Sequence, residues 1–186
     1  AYEIGYLGLG GHSTWERAME VTRLARTLCE ETKNPQLDGL VTANEGIAYY
    51  LNGKFQRAVA ILEHAREIFV TQCTGSAWEI DTIQFFTISC YAQLGMLQRL
   101  CEDAPRFLRD ALDRGDFYGS VLLRVGIPNM RWLVRDDVTA AREEIAAAMS
   151  QWSKRGFHVE HFYERLALVQ ADLYGGDATA ARARIL

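Results

Sequence analysis

The chain has 186 residues, of which 49% are hydrophobic and 24% are charged, so it has enough apolar surface for a sizeable core and disorder is not expected. Its 20 Lys and Arg against 24 Asp and Glu give a formal net charge of −4, without long runs of either sign. This balance lacks the basic surface of a nucleic-acid-binding protein and favours protein, peptide or small-molecule partners.

The pattern of apolar residues and the spacing of the cysteines give two further expectations. Charges interrupt the apolar stretches every few residues, so none approaches the roughly 18 to 20 residues that span a bilayer, and we expect no membrane segment. Cysteines at positions 29, 73, 90 and 101 are spaced too irregularly for a zinc knuckle or a C-x-x-C motif. We expect free thiols in a cytoplasmic protein rather than disulfides.

A short pattern recurs along the chain: an apolar residue followed three positions later by Ala or Leu. The five copies are Trp15/Ala18, Phe55/Ala58, Leu97/Leu100, Val138/Ala141 and Ala178/Ala181. Their first members are 40, 42, 41 and 40 residues apart, a period that is typical of stacked helical repeats. We expect one repeat domain over 1–186, with units of about 1–35, 36–74, 75–115, 116–156 and 157–186. Residues 1–9 read as the latter part of a helix, which suggests a segment of a longer protein.

Helical spacing and turn residues predict the individual elements. Residues 40–51 and 55–69 read as two antiparallel helices separated by Asn52, Gly53 and Lys54. The next helix should begin at Ala77, behind an S-x-x-E capping box formed by Ser76 and Glu79.

Prolines and glycines predict interruptions in the second half of the chain. Pro105 predicts a kink or a restart of the helix around 103–105, because proline has no backbone donor. Gly126 and Pro128 predict a break before Trp132, followed by a turn at 135–137. The last complete helix should end at Tyr174, with a turn at 175–177.

The clearest unit resembles the tetratricopeptide-repeat (TPR) superfamily. The matching positions are Gly46, Tyr49, Gly53, Phe55, Ala58, Leu62 and Ala65. The resemblance implies an all-α, right-handed superhelical solenoid of antiparallel helix pairs, here with a period of 40–42. Small residues at 46 and 58 would let paired helices approach closely.

A narrower resemblance covers about 40–186. The motifs W-E-x-D-T at 78–82, R-G-D-F-Y at 114–118, and W-S with G-F-H at 152–158 look similar to the C-terminal region of large bacterial serine/threonine kinases that carry an ATPase and TPR-like repeats. This implies a non-catalytic interaction or regulatory segment, whose partners include other domains of the same chain. No kinase motif occurs in the sequence itself.

Three other patterns look like functional motifs but do not meet the requirements of those motifs. The glycines at 5–11 precede Ser13 and Thr14 but lack the lysine of a phosphate-binding loop. His158 and His161 match no zinc-protease pattern, and the paired carboxylates stand at predicted helix starts, where they act as caps. We therefore expect no catalytic residue, metal or cofactor in this segment.

Repeat geometry would turn one side of each first helix toward a concave surface, our candidate binding surface. Its residues are Ile47, Tyr50, Thr82, Phe85, Ser89, Gln93, Met130, Tyr163, Gln170 and Tyr174. They are aromatic, aliphatic and amide groups, suited to an apolar helix or peptide. The alternative is that these residues pack against neighbouring repeats. Two other functions remain open: a small-molecule-sensing solenoid of a STAND-type regulator, and an α-helical enzyme.

Overall fold

The computed structural model describes residues 1–185 and folds them into helices joined by short connections, with no strand in that range. A 3-10 helix covers Ile127–Asn129. The α-helices are α1 (Tyr2–Leu9), α2 (His12–Thr32), α3 (Pro35–Leu51), α4 (Phe55–Gln72), α5 (Ala77–Gln93), α6 (Leu97–Asp113), α7 (Phe117–Leu122), α8 (Met130–Val134), α9 (Val138–Ser150), α10 (Val159–Tyr174) and α11 (Ala178–Ile185). The predicted all-α class is confirmed.

The helices form two compact units, Ala1–Gly95 and the part of the chain from Met96 onward. In the first unit, α3 packs against α1, α2, α4 and α5. In the second unit, α10 packs against α8, α9 and α11, and α6 packs against α7 and α8. Helices that are adjacent in sequence therefore pack together within each unit.

The repeated sequence pattern marks helix starts and core positions. Its first members at 55, 97, 138 and 178 are the first residues of α4, α6, α9 and α11. The residues three positions later are buried in all five copies, with exposed fractions of 0% to 3%: Ala18, Ala58, Leu100, Ala141 and Ala181. In the last four copies the sequence period is therefore the period at which a new helix begins, and in all five copies it places a small or aliphatic side chain in the core.

Small residues bring the helices of the first unit close together. A Cβ added to Gly46 in α3 would lie 2.8 Å from the Leu62 side chain in α4, so these two helices approach each other closely. A Cβ added to Gly8 would lie 2.8 Å from the Ala48 backbone, which joins α1 to α3. Neither contact has room for a larger side chain, so glycine sets the interhelical distance.

The reversals before α4, α6, α9 and α11 share one backbone conformation. Two positions before each helix stands a residue with positive φ: Gly53 (71°), Gly95 (68°), Asp136 (59°) and Gly176 (81°). In three of these turns the next amide donates to the carbonyl five residues back at 2.9 Å: Lys54 to Tyr49, Asp137 to Trp132 and Asp177 to Asp172. These are Schellman turns, which satisfy carbonyls that a helix end would otherwise leave without donors.

Helix α5 begins at Ala77 as predicted, but the predicted capping box is wrong. Ser76 makes no side-chain cap bond. Instead its hydroxyl donates to Gln36 Oε1 at 3.1 Å, and Gln36 Nε2 donates to Glu79 at 3.2 Å. Both polar side chains therefore tie the start of α5 to α3, a competing partner that local sequence does not reveal.

Of the kink or restart predicted at Pro105, the restart is wrong, because α6 runs unbroken from Leu97 to Asp113 with the proline inside it, and the kink stays a prediction. Its buried residues, Leu100, Ala104, Phe107 and Ala111, lie on both sides of Pro105 and are 0% to 3% exposed. Burial of this apolar stripe holds one helix together across the missing backbone hydrogen bond. The breaks predicted at Gly126 and Pro128, at 135–137 and after Tyr174 are confirmed.

Replacing Ala58 with Trp should lower the free energy of unfolding by at least about 1–3 kcal/mol, because Ala58 is fully buried and a larger side chain would have to displace its neighbours. The matched control is Ala60→Trp on the exposed side of the same helix. Chemical denaturation measures both. An equal effect of the two substitutions would contradict the packing described for α4.

Replacing Gly53 with Ala should cost about 1 kcal/mol, because the added Cβ meets nothing within 4 Å and only the positive φ is penalised. Asn tolerates this conformation better, so Gly53→Asn should cost less. Thermal unfolding of both variants separates a backbone effect from a packing effect. If Asn were as harmful as Ala, the positive φ at this turn would be in doubt.

Candidate interaction surfaces

Two of the predicted surface residues in the first unit are core residues. Phe85 is 5% exposed and Ser89 is 1% exposed, and the Ser89 hydroxyl donates to the Phe85 carbonyl at 2.8 Å. For these two residues the alternative interpretation applies: they are packed inside the unit and are not exposed to a partner. The helical period placed them on one side of α5, but it could not show that this side is covered.

Tyr50 is half-buried and belongs to an aromatic cluster of the first unit. Its ring centroid lies 5.5 Å from that of Phe55 and 5.1 Å from that of Phe86. Burial raises the pKa of the Tyr50 phenol, and a hydrogen bond with Ser89 partly opposes that shift. The phenol is therefore a neutral packing group at physiological pH.

The remaining predicted residues of the first unit differ in exposure. Ile47 is half-buried beside α1, since a Cβ added to Gly5 would lie 4.0 Å from its side chain. Thr82 is half-buried and donates to the Trp78 carbonyl at 2.8 Å. Gln93, at the end of α5, is exposed and accessible to a partner.

The predicted residues of the second unit are accessible to different degrees. Met130 and Gln170 are half-buried. Tyr163 is also half-buried and packs on Gly126, where an added Cβ would lie 3.2 Å from the tyrosine side chain. Tyr174 is 51% exposed, and its hydroxyl donates to Asp136 at 3.0 Å. This hydrogen bond raises the pKa of Tyr174.

The second unit also carries a cluster of six rings, which we call the ring cluster: Phe117, Tyr118, Trp152, Phe157, His158 and His161. Phe117 stacks on Trp152 at 5.5 Å between centroids, and Phe157 stacks on His161 at 5.7 Å. His158 joins the two stacks, at 6.2 Å from Trp152 and 5.5 Å from His161. The sequence motifs at 114–118 and 152–158 contain most of these rings, but only the fold brings them together.

Hydrogen bonds fix the two histidines within the ring cluster. Trp152 Nε1 donates to His158 Nδ1 at 3.2 Å, and the His158 amide donates to His161 Nδ1 at 3.0 Å. One nitrogen of each imidazole is therefore an acceptor for a protein donor. Across residues 1–185, no group of three or more His, Cys, Asp or Glu is placed to hold a metal ion.

An ion-pair network around Arg131 joins two helices of the second unit. Arg131 is 2% exposed and pairs with Glu144, while it donates to the carbonyls of Leu123 at 3.2 Å and Pro128 at 3.0 Å. Burial lowers the pKa of Arg131, and Glu144 opposes that shift. Trp132 Nε1 donates to the same carboxylate at 2.7 Å. This network joins α8 to α9. Its charged groups pair with other groups of the protein and are therefore not free to bind a ligand.

A second ion-pair network joins α9, α10 and α11. Asp172 is 1% exposed and accepts from Arg142 at 2.8 Å and from Arg184 at 2.5 Å. The hydrogen bond from Arg184 and that from Arg142 lower the pKa of Asp172, although its burial acts in the opposite direction. The carboxylate is therefore a structural anion.

The first unit contains an open cavity of about 380 Å³ near the end of α2 and the start of α3. Its lining is mainly polar and charged: Arg26, Cys29, Glu30, Lys33, Asn34, Pro35, Asp38 and Gln72. Arg26 is already paired with Glu45 and lies 3.9 Å from Asp38. Burial raises the pKa of the Cys29 thiol, which disfavours its reactive thiolate form.

The other sequence motifs have structural positions. Gly5 and Gly8 lie inside α1, so the glycine-rich segment is a helix and the turn that follows it. Asp116 accepts from the Gly119 amide at 2.9 Å and Asp137 from the Ala140 amide at 2.8 Å, so each caps the helix that follows, and Asp137 confirms the cap predicted for one of the paired carboxylates. All four cysteines are free thiols, and burial raises the pKa of Cys90 to about 12.

Comparison of the chain with protein-family models, curated proteins and solved structures finds no match. Among residues 1–185, no helix is both long enough and apolar enough to span a membrane.

Replacing Asp172 with Asn should cost about 1–2 kcal/mol of unfolding free energy at pH 7, because its two partners are arginines that are 46% and 37% exposed. Because the pKa of Asp172 is lower in the folded protein, its ionised carboxylate stabilises the fold at pH values above the ordinary carboxyl pKa, near 4. This stability is lost as the pH falls through the folded-state pKa. The variant should therefore lose part of the acid dependence of wild-type stability. Urea denaturation between pH 3 and 7 measures it, with the exposed Asp113→Asn as control. An unchanged pH profile would show that Asp172 is not a stabilising anion.

Proposed function

We propose that this chain is a non-catalytic protein-binding scaffold or regulatory segment of a larger bacterial signalling protein, linked to kinase or ATPase domains and acting in the cytoplasm. The observation that carries the proposal is the recurrence of one turn and one buried position at intervals of 40 to 42 residues. Repeats of this kind keep the same backbone arrangement and buried positions while their exposed side chains vary, which suits them to binding.

In this proposal the helices stack as antiparallel pairs into a right-handed superhelix of the TPR type. The close approaches at Gly8 and Gly46 support such stacking, because they are the small-residue contacts that helical repeats use. The accessible residues of the predicted face are then the contact residues, with Gln93 in the first unit and Tyr174 in the second. Phe85 and Ser89 support that face from inside.

The two alternative functions have less support. A small-molecule sensor of the STAND type would use a closed apolar pocket, whereas the cavity beside α2 is open and lined by charges. An enzyme would gather groups with shifted pKa values in one cleft. The shifted groups Arg131 and Asp172 instead pair with Glu144 and with Arg142 and Arg184, in networks that join helices.

The test is quantitative affinity capture from lysate of the source cell, with the wild-type chain, a Tyr174→Arg variant and a Leu173→Arg control. Leu173 is 57% exposed, neighbours Tyr174 on α10 and lies outside the predicted face. A hot-spot aromatic residue accounts for a large share of binding, so Tyr174→Arg should reduce recovery of a specific partner by about tenfold or more. The control should retain that partner.

Circular dichroism must first show that both variants keep the wild-type helix content. Equal recovery with both variants would contradict the assignment of the binding face to Tyr174. Recovery of no protein above the level seen with an unrelated helical protein would contradict the binding function itself.

A further inference from the structure

The ring cluster of the second unit is exposed and held in one arrangement. Phe157 is 64% exposed and Phe117 is 45% exposed, both large fractions for phenylalanine. Trp152 anchors the cluster, because it packs against the buried core that contains Val121 and Ile145. The hydrogen bond from Trp152 to His158 fixes the loop that follows α9. A rigid apolar surface of this kind loses little entropy when a partner binds.

Three cations lie on the same segment of the chain as Trp152 and Phe157. Lys154 and Arg155 are exposed in the same loop, and the Arg165 guanidinium lies 5.6 Å from the ring centroid of Phe157. In the described residues 1–185, no carboxylate forms an ion pair with any of these three cations. The surface therefore offers unpaired positive charge beside exposed aromatic rings.

The positive character of this surface is local. The whole chain has a formal net charge of −4. Segment 151–166 contains three Lys and Arg residues and two glutamates, and one of the glutamates, Glu160, is only 3% exposed. An approaching ligand therefore meets three accessible cations and one accessible carboxylate in this segment.

We propose that the ring cluster binds an acidic peptide segment that carries an aromatic or large aliphatic side chain. That side chain would pack on the exposed ring of Phe157, and the neighbouring part of the segment would lie over the stacked rings of Phe117 and Trp152. Acidic residues on either side of it would face Lys154, Arg155 and Arg165. The proposal rests on the proposed binding function and assigns to it a site and a class of partner.

Charge decides between this partner and two others that aromatic rings can bind. A quaternary ammonium group would be attracted by the rings, but it would be repelled by the three neighbouring cations. Single-stranded nucleic acid stacks on aromatic rings, but it also needs an extended basic groove along its backbone. A chain with a net charge of −4 and three local cations suits a short acidic peptide better.

The experiment begins with selection of a phage-displayed library of random twelve-residue peptides on the immobilised full chain. We expect the enriched sequences to combine Asp or Glu with Phe, Tyr, Trp or Leu. The best peptide, labelled with fluorescein, is then titrated by fluorescence anisotropy at low and at physiological salt. A labelled ten-residue oligodeoxythymidine is titrated alongside it.

Two variants test the surface. Phe157→Ser should weaken peptide binding by about tenfold or more, because it removes the exposed ring. Lys154→Glu with Arg155→Glu should weaken it by a similar factor at low salt and by less at high salt, because salt screens exposed charges. The controls are Tyr6→Ser, an exposed aromatic residue of the first unit, and Arg23→Glu with Arg109→Glu, an equal change of charge at other exposed sites.

Each outcome has a distinct meaning. Loss of binding in both test variants, with both controls unaffected, supports the proposal. Acidic peptides that bind all variants equally would overturn this site but leave the scaffold function standing. Enrichment of basic or neutral peptides, or tighter binding of the oligonucleotide, would overturn the proposed partner class. A selection that enriches no peptide would overturn the proposed site, while the scaffold function is judged separately by the capture from lysate.

Discussion

The fold depends on a residue that holds positive φ at each reversal of the chain. A helix end leaves carbonyl groups without intrahelical donors, and a left-handed residue turns the next amides back onto them. At Gly53 this turn places Lys54 to donate to Tyr49 and allows α4 to begin at Phe55. Because the helix begins at a fixed residue, the side chain three positions later is directed into the core.

The turn at Asp136 shows that this constraint concerns conformation rather than residue type. Asp136 has φ of 59° although it is not glycine. Aspartate tolerates the left-handed region better than most residues, and its carboxylate here accepts a hydrogen bond from Tyr174. The same site thus supports the turn and orders an exposed tyrosine of α10.

Local sequence signals predicted much of the fold, and long-range contacts decided the rest. Turn residues located the ends of helices because glycine and aspartate act within one turn of the backbone. The restart predicted at Pro105 does not occur, because burial of Leu100, Ala104 and Phe107 holds α6 together across the proline. The capping box predicted at Ser76 does not form because the Ser76 hydroxyl donates to a side chain of α3, 40 residues earlier in the chain.

The candidate surfaces were harder to predict for the same reason. Helical periodicity shows which residues share a side of a helix, but it does not show whether another helix covers that side, as it does at Phe85. The ring cluster joins the start of α7, the loop after α9 and the start of α10, so its residues lie up to 44 positions apart. Ordinary loop and helix positions in the sequence become a surface only when the second unit folds.

Amide hydrogen exchange, resolved by NMR, tests the role of the reversals most directly. The amides of Lys54, Asp116, Asp137 and Asp177 lie at helix boundaries, and each donates to a carbonyl five residues back at 2.8 to 2.9 Å. The account predicts that all four exchange at least about a hundredfold more slowly than an unstructured chain of the same sequence. Exchange of these amides at unstructured rates, in a chain whose helix interiors are protected, would contradict it.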